Sequence, residues 1–284
     1  MQTALSALLL FLTGLAAGIV GGFLGIGGCV IMLPTLYFLF HYSLPLAIGT
    51  TIAAVVITAA SGAIAHIRLR NVDFNTVKII AITGAIGSFI GSIIFLFTLK
   101  AEWILAEILG AAFLYVSIRI LIEGIMMKRG KLRKGPELNY IPGGVLRKSL
   151  IGFFIGIISG IVGLGGGYAL VPAFIYLCDA PVKLAVGTSL PSFISIAFVA
   201  ALFKTQPFLP WLASLFHVNI TKAGYVAPIA ALCLGIGTAI GAQIGAKLVP
   251  KTPVWLIRIV FGVVFLAVAV EFIIKGLILM HAVA

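Results

Sequence analysis

Two glycine clusters and four hydroxyls are the residues whose types and spacing could do chemistry. The first cluster is Gly25, Gly27 and Gly28, inside GIVGGFLGIGGCVIMLP, residues 18–34. The second is Gly163, Gly165 and Gly166, inside GIISGIVGLGGGYALVP, residues 156–172. Both lie within apolar sequence, and the first Asp, Glu, Lys or Arg of the chain is Arg68. Glycines so placed predict helices that open within a membrane domain. Irregular backbone persists at that depth only where protein or a water-filled cavity satisfies its polar groups. An opened helix presents backbone N–H groups at the start of its next piece, and a helix N-terminus attracts anions. Thr50, Thr51, Thr188 and Ser189 would add neutral hydroxyl donors. Two such termini brought together suit a small oxyanion. The structural alternative is that the glycines serve close packing and the hydroxyls bond to backbone.

The clusters are copies of one another. A shift of 138 positions sets Gly18, Gly22, Gly25, Gly27, Gly28 and Pro34 on Gly156, Gly160, Gly163, Gly165, Gly166 and Pro172. The same shift carries Gly49-Thr50-Thr51 onto Gly187-Thr188-Ser189. Gly87 and Gly91 recur as Gly241 and Gly245, at a shift of 154. Small residues at this spacing let membrane helices pack closely.

Composition dictates what must hold these motifs. Of 284 residues, 62% are hydrophobic and only 9% charged, where soluble domains carry about 25% charged residues. Mean hydropathy is +1.26. The fold class expected is all-α: a polytopic membrane protein of about eight helices, in two repeated four-helix halves whose first helices are broken. The first half is assigned to residues 1–127, a basic cytoplasmic linker to 128–148, and the second half to 149–284. Each helix needs about 20 residues to cross. Expected spans are 46–67, 77–97, 103–126, 184–203, 223–248 and 254–274, with broken regions at 4–40 and 150–178. The stretch 204–219 reads as a connection. MQTALSALLL reads as the start of the first helix, without the basic region of a removed signal.

The net charge of +12 gathers between apolar spans, as the positive-inside rule expects, so it points to topology and to lipid surfaces, and not to nucleic acid. If each broken region crosses once, the halves share one orientation. If each is a hairpin, the halves are inverted and the N-terminus lies outside. The loops at 68–78 and 128–148 share a side in both cases, so charge does not choose.

Cys29, Cys178 and Cys233 are too few and too far apart for a disulfide framework or metal site. No HExxH, G-x-S-x-G or nucleotide P-loop is present, so neither enzyme activity, metal nor cofactor is expected. Intramembrane charges are expensive and usually functional or paired. Glu107 is the best of them for proton coupling. Arg119 and Glu123, four apart, can pair on one face. Gln243 can bond across helices, and His66 and His217 read as structural.

The glycine-proline repeats resemble the TauE/SafE sulfite exporter family, also known as the 4-toluene sulfonate uptake permease family. The resemblance rests on GFLGIGGCVIMLP (22–34), AIGTT (47–51), GIVGLGGGYALVP (160–172) and AVGTS (185–189), with GSFIG (87–91) and GAQIG (241–245). It covers nearly the whole chain. It implies a bacterial inner-membrane permease of two related halves, moving sulfite or an organosulfonate. Cys29 stands where the second copy has Gly167, so the two copies are unequal. The expected function is secondary transport of a small sulfur-containing anion. An anion-selective channel or uniporter, and a non-transporting membrane binding or scaffold protein, stay open. So does homo-oligomerisation, since the small-residue faces could pack within or between chains.

Overall fold

The computed structural model describes residues 2–24, 27–99, 101–129, 138–206, 208–218, 220, 224–248 and 254–283. The chain is all-helical. In order come α1 (Gln2–Leu24), α2 (Cys29–Pro34), a π-helical turn (Thr35–Leu39), α3 (Leu44–Arg68), α4 (Phe74–Thr98) and α5 (Glu102–Lys128). Then follow α6 (Val145–Val162), α7 (Gly167–Leu177), α8 (Val182–Leu202), α9 (Phe208–Leu215), α10 (Pro228–Leu248) and α11 (Val254–Val283). Eight of them are long and apolar enough to cross a membrane. α7, and α2 with its π turn, are the short partners of α6 and α1. Gly25 and residues 130–137 of the basic linker lie outside the described residues.

Three boundaries differ from the sequence reading. Residues 208–215 form α9, because Pro210 falls in its first turn, where no backbone donor is needed. α11 runs on past Lys275 to Val283, since one cation does not end a helix whose flanks stay apolar. After Pro34 the chain widens into the π-helical turn, which absorbs the hydrogen bond that proline removes.

Small residues set the helix directions. Gly14, Gly18 and Gly22 of α1 pack on Leu234, Thr238 and Ala242 of α10, so these helices run parallel. Gly84 and Gly91 of α4 meet Gly156 and Gly160 of α6, again in parallel. Thr50 near the start of α3 meets Ala227 at the start of α10. Thr188 near the start of α8 meets Asp73 at the start of α4. Thus α1, α3 and α10 start at one end of the molecule, while α4, α6 and α8 start at the other. α1 and α6 run in opposite directions. Gly28 turns back beside Ala17 of α1, so the first broken region is a hairpin. The other extensive pairing is antiparallel, α5 against α11, with Gly110 on Ile273 and Gly124 on Ile259.

The linker end is tied by polar groups. Asp73 caps α4 through Asn75 N–H at 3.0 Å and Thr76 N–H at 3.3 Å, and accepts from Ile141 N–H at 2.9 Å. Lys148 donates to Thr76 Oγ1 and to the Ile141 carbonyl, both at 2.7 Å. Burial pushes the Asp73 carboxyl up. The Ile141 and Thr76 hydrogen bonds and the Lys148 charge outweigh that and hold it below the usual range. Between α5 and α11, Arg119 pairs with Glu123 at 3.4 Å, and Arg258 shares the same carboxylate.

Candidate functional site

The two interrupted segments meet on one ring. Gly27 and Gly165 both adopt left-handed backbone, with φ of 79° and 70°. Such backbone suits glycine, because it carries no Cβ to clash. A methyl group on Gly27 would stand 3.3 Å from Phe193 Cζ. One on Gly165 would stand 3.2 Å from Phe193 Cε2 and 3.1 Å from Val55 Cγ1. Phe193, on α8, is fully buried. Val55 of α3 is its counterpart under the 138-residue shift. Two helices of opposite direction therefore bring one side chain each to the junction of both glycine clusters.

On the linker side of this junction lies a small cleft of mixed polar and apolar lining. Its walls include Gly27, Thr58, Gly62, His66 and Gln243. Its volume of about 20 Å³ holds about one water. Gln243 Nε2 donates to the Ser61 carbonyl and shares a hydrogen bond with Ser61 Oγ, both at 3.2 Å, the cross-helix bond its position suggested. Thr58 and Thr238 share a hydroxyl hydrogen bond. His66 Nδ1 is buried and finds no partner among the described residues.

The equivalent positions on the far side carry larger, apolar residues and a lysine. The 138-residue shift turns Thr58, Gly62 and His66 into Ile196, Ala200 and Lys204, and the 154-residue shift turns Gln243 into Phe89. Ile196 and Ala200 are fully buried. Phe89 packs against Phe203 with ring centroids 5.0 Å apart. Lys204 folds into this apolar plug. Its ammonium donates to the Gly160 carbonyl at 2.5 Å and more weakly to Ala200 O at 3.4 Å. It also lies 4.4 Å from the centre of the Phe95 ring. Among the described residues no carboxylate pairs with it. Burial pushes this ammonium down to about 7.

The structure separates the four hydroxyls. Thr50 Oγ1 accepts from Ala227 N–H and Thr188 Oγ1 from Asp73 N–H, each at 3.0 Å. They hold the entrances of α10 and α4 at opposite ends and are not gathered at one site. Ser189 donates to its own helix at Val186 O, 2.9 Å. Thr51 Oγ1 is buried without a partner among the described residues. Thr51 and Ser189 stand one helical turn before Val55 and Phe193, so they are the pair nearest the junction. Gly163 packs on Ile48 and Gly166 on Phe193, while Gly28 backs onto Ala17. Glu107 is half-buried, its Oε1 packed against Gly276 of α11 and unpartnered among the described residues. It belongs to the α5–α11 pair and does not line the cleft.

Sequence reasoning passed over Phe193 and Lys204. One more phenylalanine in apolar sequence carries no signal. Lys204 did leave one, since the shift that aligns the glycines also sets it on His66.

Comparison with known proteins gives the chain a family. A family model described as "Sulfite exporter TauE/SafE" matches residues 10–272. The probable membrane transporter protein YunE of Bacillus subtilis is 28% identical over 280 residues, covering 90% of this chain and 94% of its own. A probable membrane transporter protein of Haemophilus influenzae is 27% identical, covering 94% and 98%. The probable membrane transporter protein MJ0441 of Methanocaldococcus jannaschii is 26% identical, covering 86% and 88%. No solved structure matches.

Proposed function

We propose, from the premise that this chain belongs to the TauE/SafE sulfite exporter family of membrane transporters, that it is a secondary transporter of a small sulfur-containing anion such as sulfite or an organosulfonate. The observation that carries this reading is the junction at Phe193. There two left-handed glycines from oppositely directed interrupted segments face one ring, with a small cleft beside Gly27 and the buried Ile196 and Ala200 at the equivalent positions of the other repeat. Discontinuous helices at the meeting of oppositely directed repeats are the usual setting of a transport site. The two repeats are taken as residues 1–127 and 149–284, joined by the linker at 128–148. Their rocking about Phe193 would expose the site alternately.

Charge supports a sidedness. Arg68, Arg70, Lys78, Lys128, Arg129, Arg147, Lys148 and Lys183 cluster at the linker end. At the far end the described residues carry Lys204 and Lys275. The positive-inside rule then puts the linker in the cytoplasm, with the chain in the bacterial inner membrane and the start of α1 outside. The polar cleft faces the cytoplasm in this orientation. An anion leaving a negative-inside cell gains about 2.3 kcal/mol per charge at 100 mV, which is enough to drive export without a dedicated proton carrier. No role in catalysis is assigned.

Reconstitution tests the reading. Labelled sulfite, sulfate, taurine, sulfoacetate and an aromatic sulfonate are offered to proteoliposomes at two pH values. At least one sulfur oxyanion is expected to move and to exchange against unlabelled substrate, which a channel would not support. Folded protein that moves none of them contradicts the proposal.

A further inference from the structure

We propose that Lys204 is the far-side counter-charge for the transported anion, releasing the Gly160 carbonyl when the second interrupted segment opens, with His66 in the matching role at the cleft. This rests on the transport reading above and names the residues that select charge at each mouth.

Lys204 is an unusual residue to bury. An ammonium has three protons to donate. Here one carbonyl at 2.5 Å, a distant second at 3.4 Å and an aromatic face are its surroundings. Removing a charge from water costs several kcal/mol unless a counter-ion and further hydrogen bonds repay it. Nothing described repays it here. The space could be filled by a methionine or leucine at no such cost, so packing does not explain a lysine.

Its partner is informative. Gly160 belongs to the duplicated motif and lies one turn before the left-handed Gly163 that ends α6. Lys204 stands just past the end of α8, the helix that carries Phe193 at the junction. The ammonium therefore ties the segment that must move to the helix around which it moves. When that segment shifts, the Gly160 carbonyl leaves and the ammonium needs another acceptor. A sulfite or sulfonate oxygen supplies both the charge and the hydrogen bond. Charge-assisted bonds of this kind are roughly twice as strong as neutral ones.

The first half repeats the device with a weaker base. His66 lies on α3 at the position equivalent to Lys204, beside the polar cleft and Gly27. Its Nδ1 is buried and without a partner among the described residues. Both mouths thus offer a nitrogen base, and neither offers a described carboxylate ion pair. That pattern favours a small anion over a cation or a neutral solute. The plain structural reading, a lysine capping the C-terminal carbonyls of α6 and α8, makes a different prediction.

The test uses the full chain in proteoliposomes, with labelled sulfite and methanesulfonate as probes, and compares Lys204→Met and Lys204→Arg with the unaltered protein. Lys204→Met is expected to melt at the same or a higher temperature, to lose any sulfite-induced rise in melting temperature, and to cut flux by roughly 30-fold or more, the loss expected on removing one partner of a desolvated charge contact. Lys204→Arg keeps the charge and should retain more flux than Lys204→Met. If Lys204→Met carries either probe at the unaltered rate, the inference is overturned while the transport reading stands. If both variants melt lower and lose flux alike, Lys204 is a structural cap and the inference is likewise overturned. If the unaltered protein moves neither probe but moves another anion of the wider panel, the comparison is read with that anion; if it moves none, the transport reading fails and this inference falls with it.

Discussion

The first interrupted segment and the second carry nearly the same residues in different surroundings. Gly27 borders a polar cleft walled by Thr58, His66 and Gln243. Gly165 faces Val55 and Phe193, and the equivalent positions on that side hold buried Ile196, Ala200 and Lys204. Backbone shape differs at the third glycine of the motif, since Gly28 is left-handed at φ 72° while Gly166 has φ −96°. The helix after the break also differs. α2 is six residues followed by a π turn, whereas α7 stays α-helical for eleven. The motif builds the bend, and the facing helices decide what lines it. α3 and α10 bring hydroxyls and an amide to the first bend. α8 and α4 bring Ile196, Phe89 and Ala200 to the second. A carrier caught facing one way would show this asymmetry, with the two sides exchanging character during turnover.

That contrast can be broken by substitution, beginning where the effect should be largest. Gly165→Leu places a branched side chain on left-handed backbone with neighbours already at 3.1 and 3.2 Å. Sulfite exchange should fall to background while the protein still elutes as a folded species, because the extensive helix pairs lie elsewhere. Gly27→Leu has a single near neighbour and an adjoining cleft, so it should keep measurable exchange. Equal losses would remove the distinction between the two bends. Phe193→Ala deletes the ring that both bends share. It should cost about 3–5 kcal/mol of stability, as large aromatic truncations do, and convert exchange into a leak that needs no substrate on the opposite side. Flux that stays coupled would show that the ring closes nothing.

Smaller effects sharpen the comparison at the helix entrances. Thr50→Val and Thr188→Val each remove one hydrogen bond to a buried or half-buried backbone N–H. Each should lower stability by about 1 kcal/mol, read as a fall in melting temperature in detergent. A large loss in exchange with unchanged stability would instead return those hydroxyls to the substrate. The linker-side entrance alone carries an acid, Asp73, whose carboxyl is held below the usual range. A depressed carboxylate contributes stability above its unfolded pKa of about 3.9 and loses it as pH falls through the lower folded value. Melting measured from neutral pH to about 3 should therefore decline in the unaltered chain more than in Asp73→Asn. The Thr50 entrance has Ala227 in the corresponding place and adds no such dependence.

Spans and bends were legible in the sequence because apolar length and clustered glycine are local properties. The direction of the halves was not. Both alternatives put the loops at 68–78 and 128–148 on one side, so charge was silent, and it takes the return of Gly28 beside Ala17 and the registers of Gly14 on Leu234 and Gly84 on Gly156 to distinguish them. Thr50 and Thr188 were expected near substrate because a hydroxyl in apolar sequence looks alike whatever it bonds. Their partners, Ala227 and Asp73, are more than a hundred residues away. Lys204 was readable by the shift that aligns Gly27 with Gly165. It was passed over because the end of a span looks like an ordinary place for a lysine.

Alternating exposure of the two bends is tested most directly at one pair of equivalent positions. Thr58→Cys and Ile196→Cys are made separately in a chain lacking its native cysteines and reacted with a membrane-impermeant thiol reagent from each side of sealed vesicles. Both positions are buried at rest, so cysteine at 58 should react only from the linker side and cysteine at 196 only from the opposite side, each chiefly while sulfite is being exchanged. Reaction of both from the same side, or of neither during exchange, would contradict a route that opens first at one bend and then at the other.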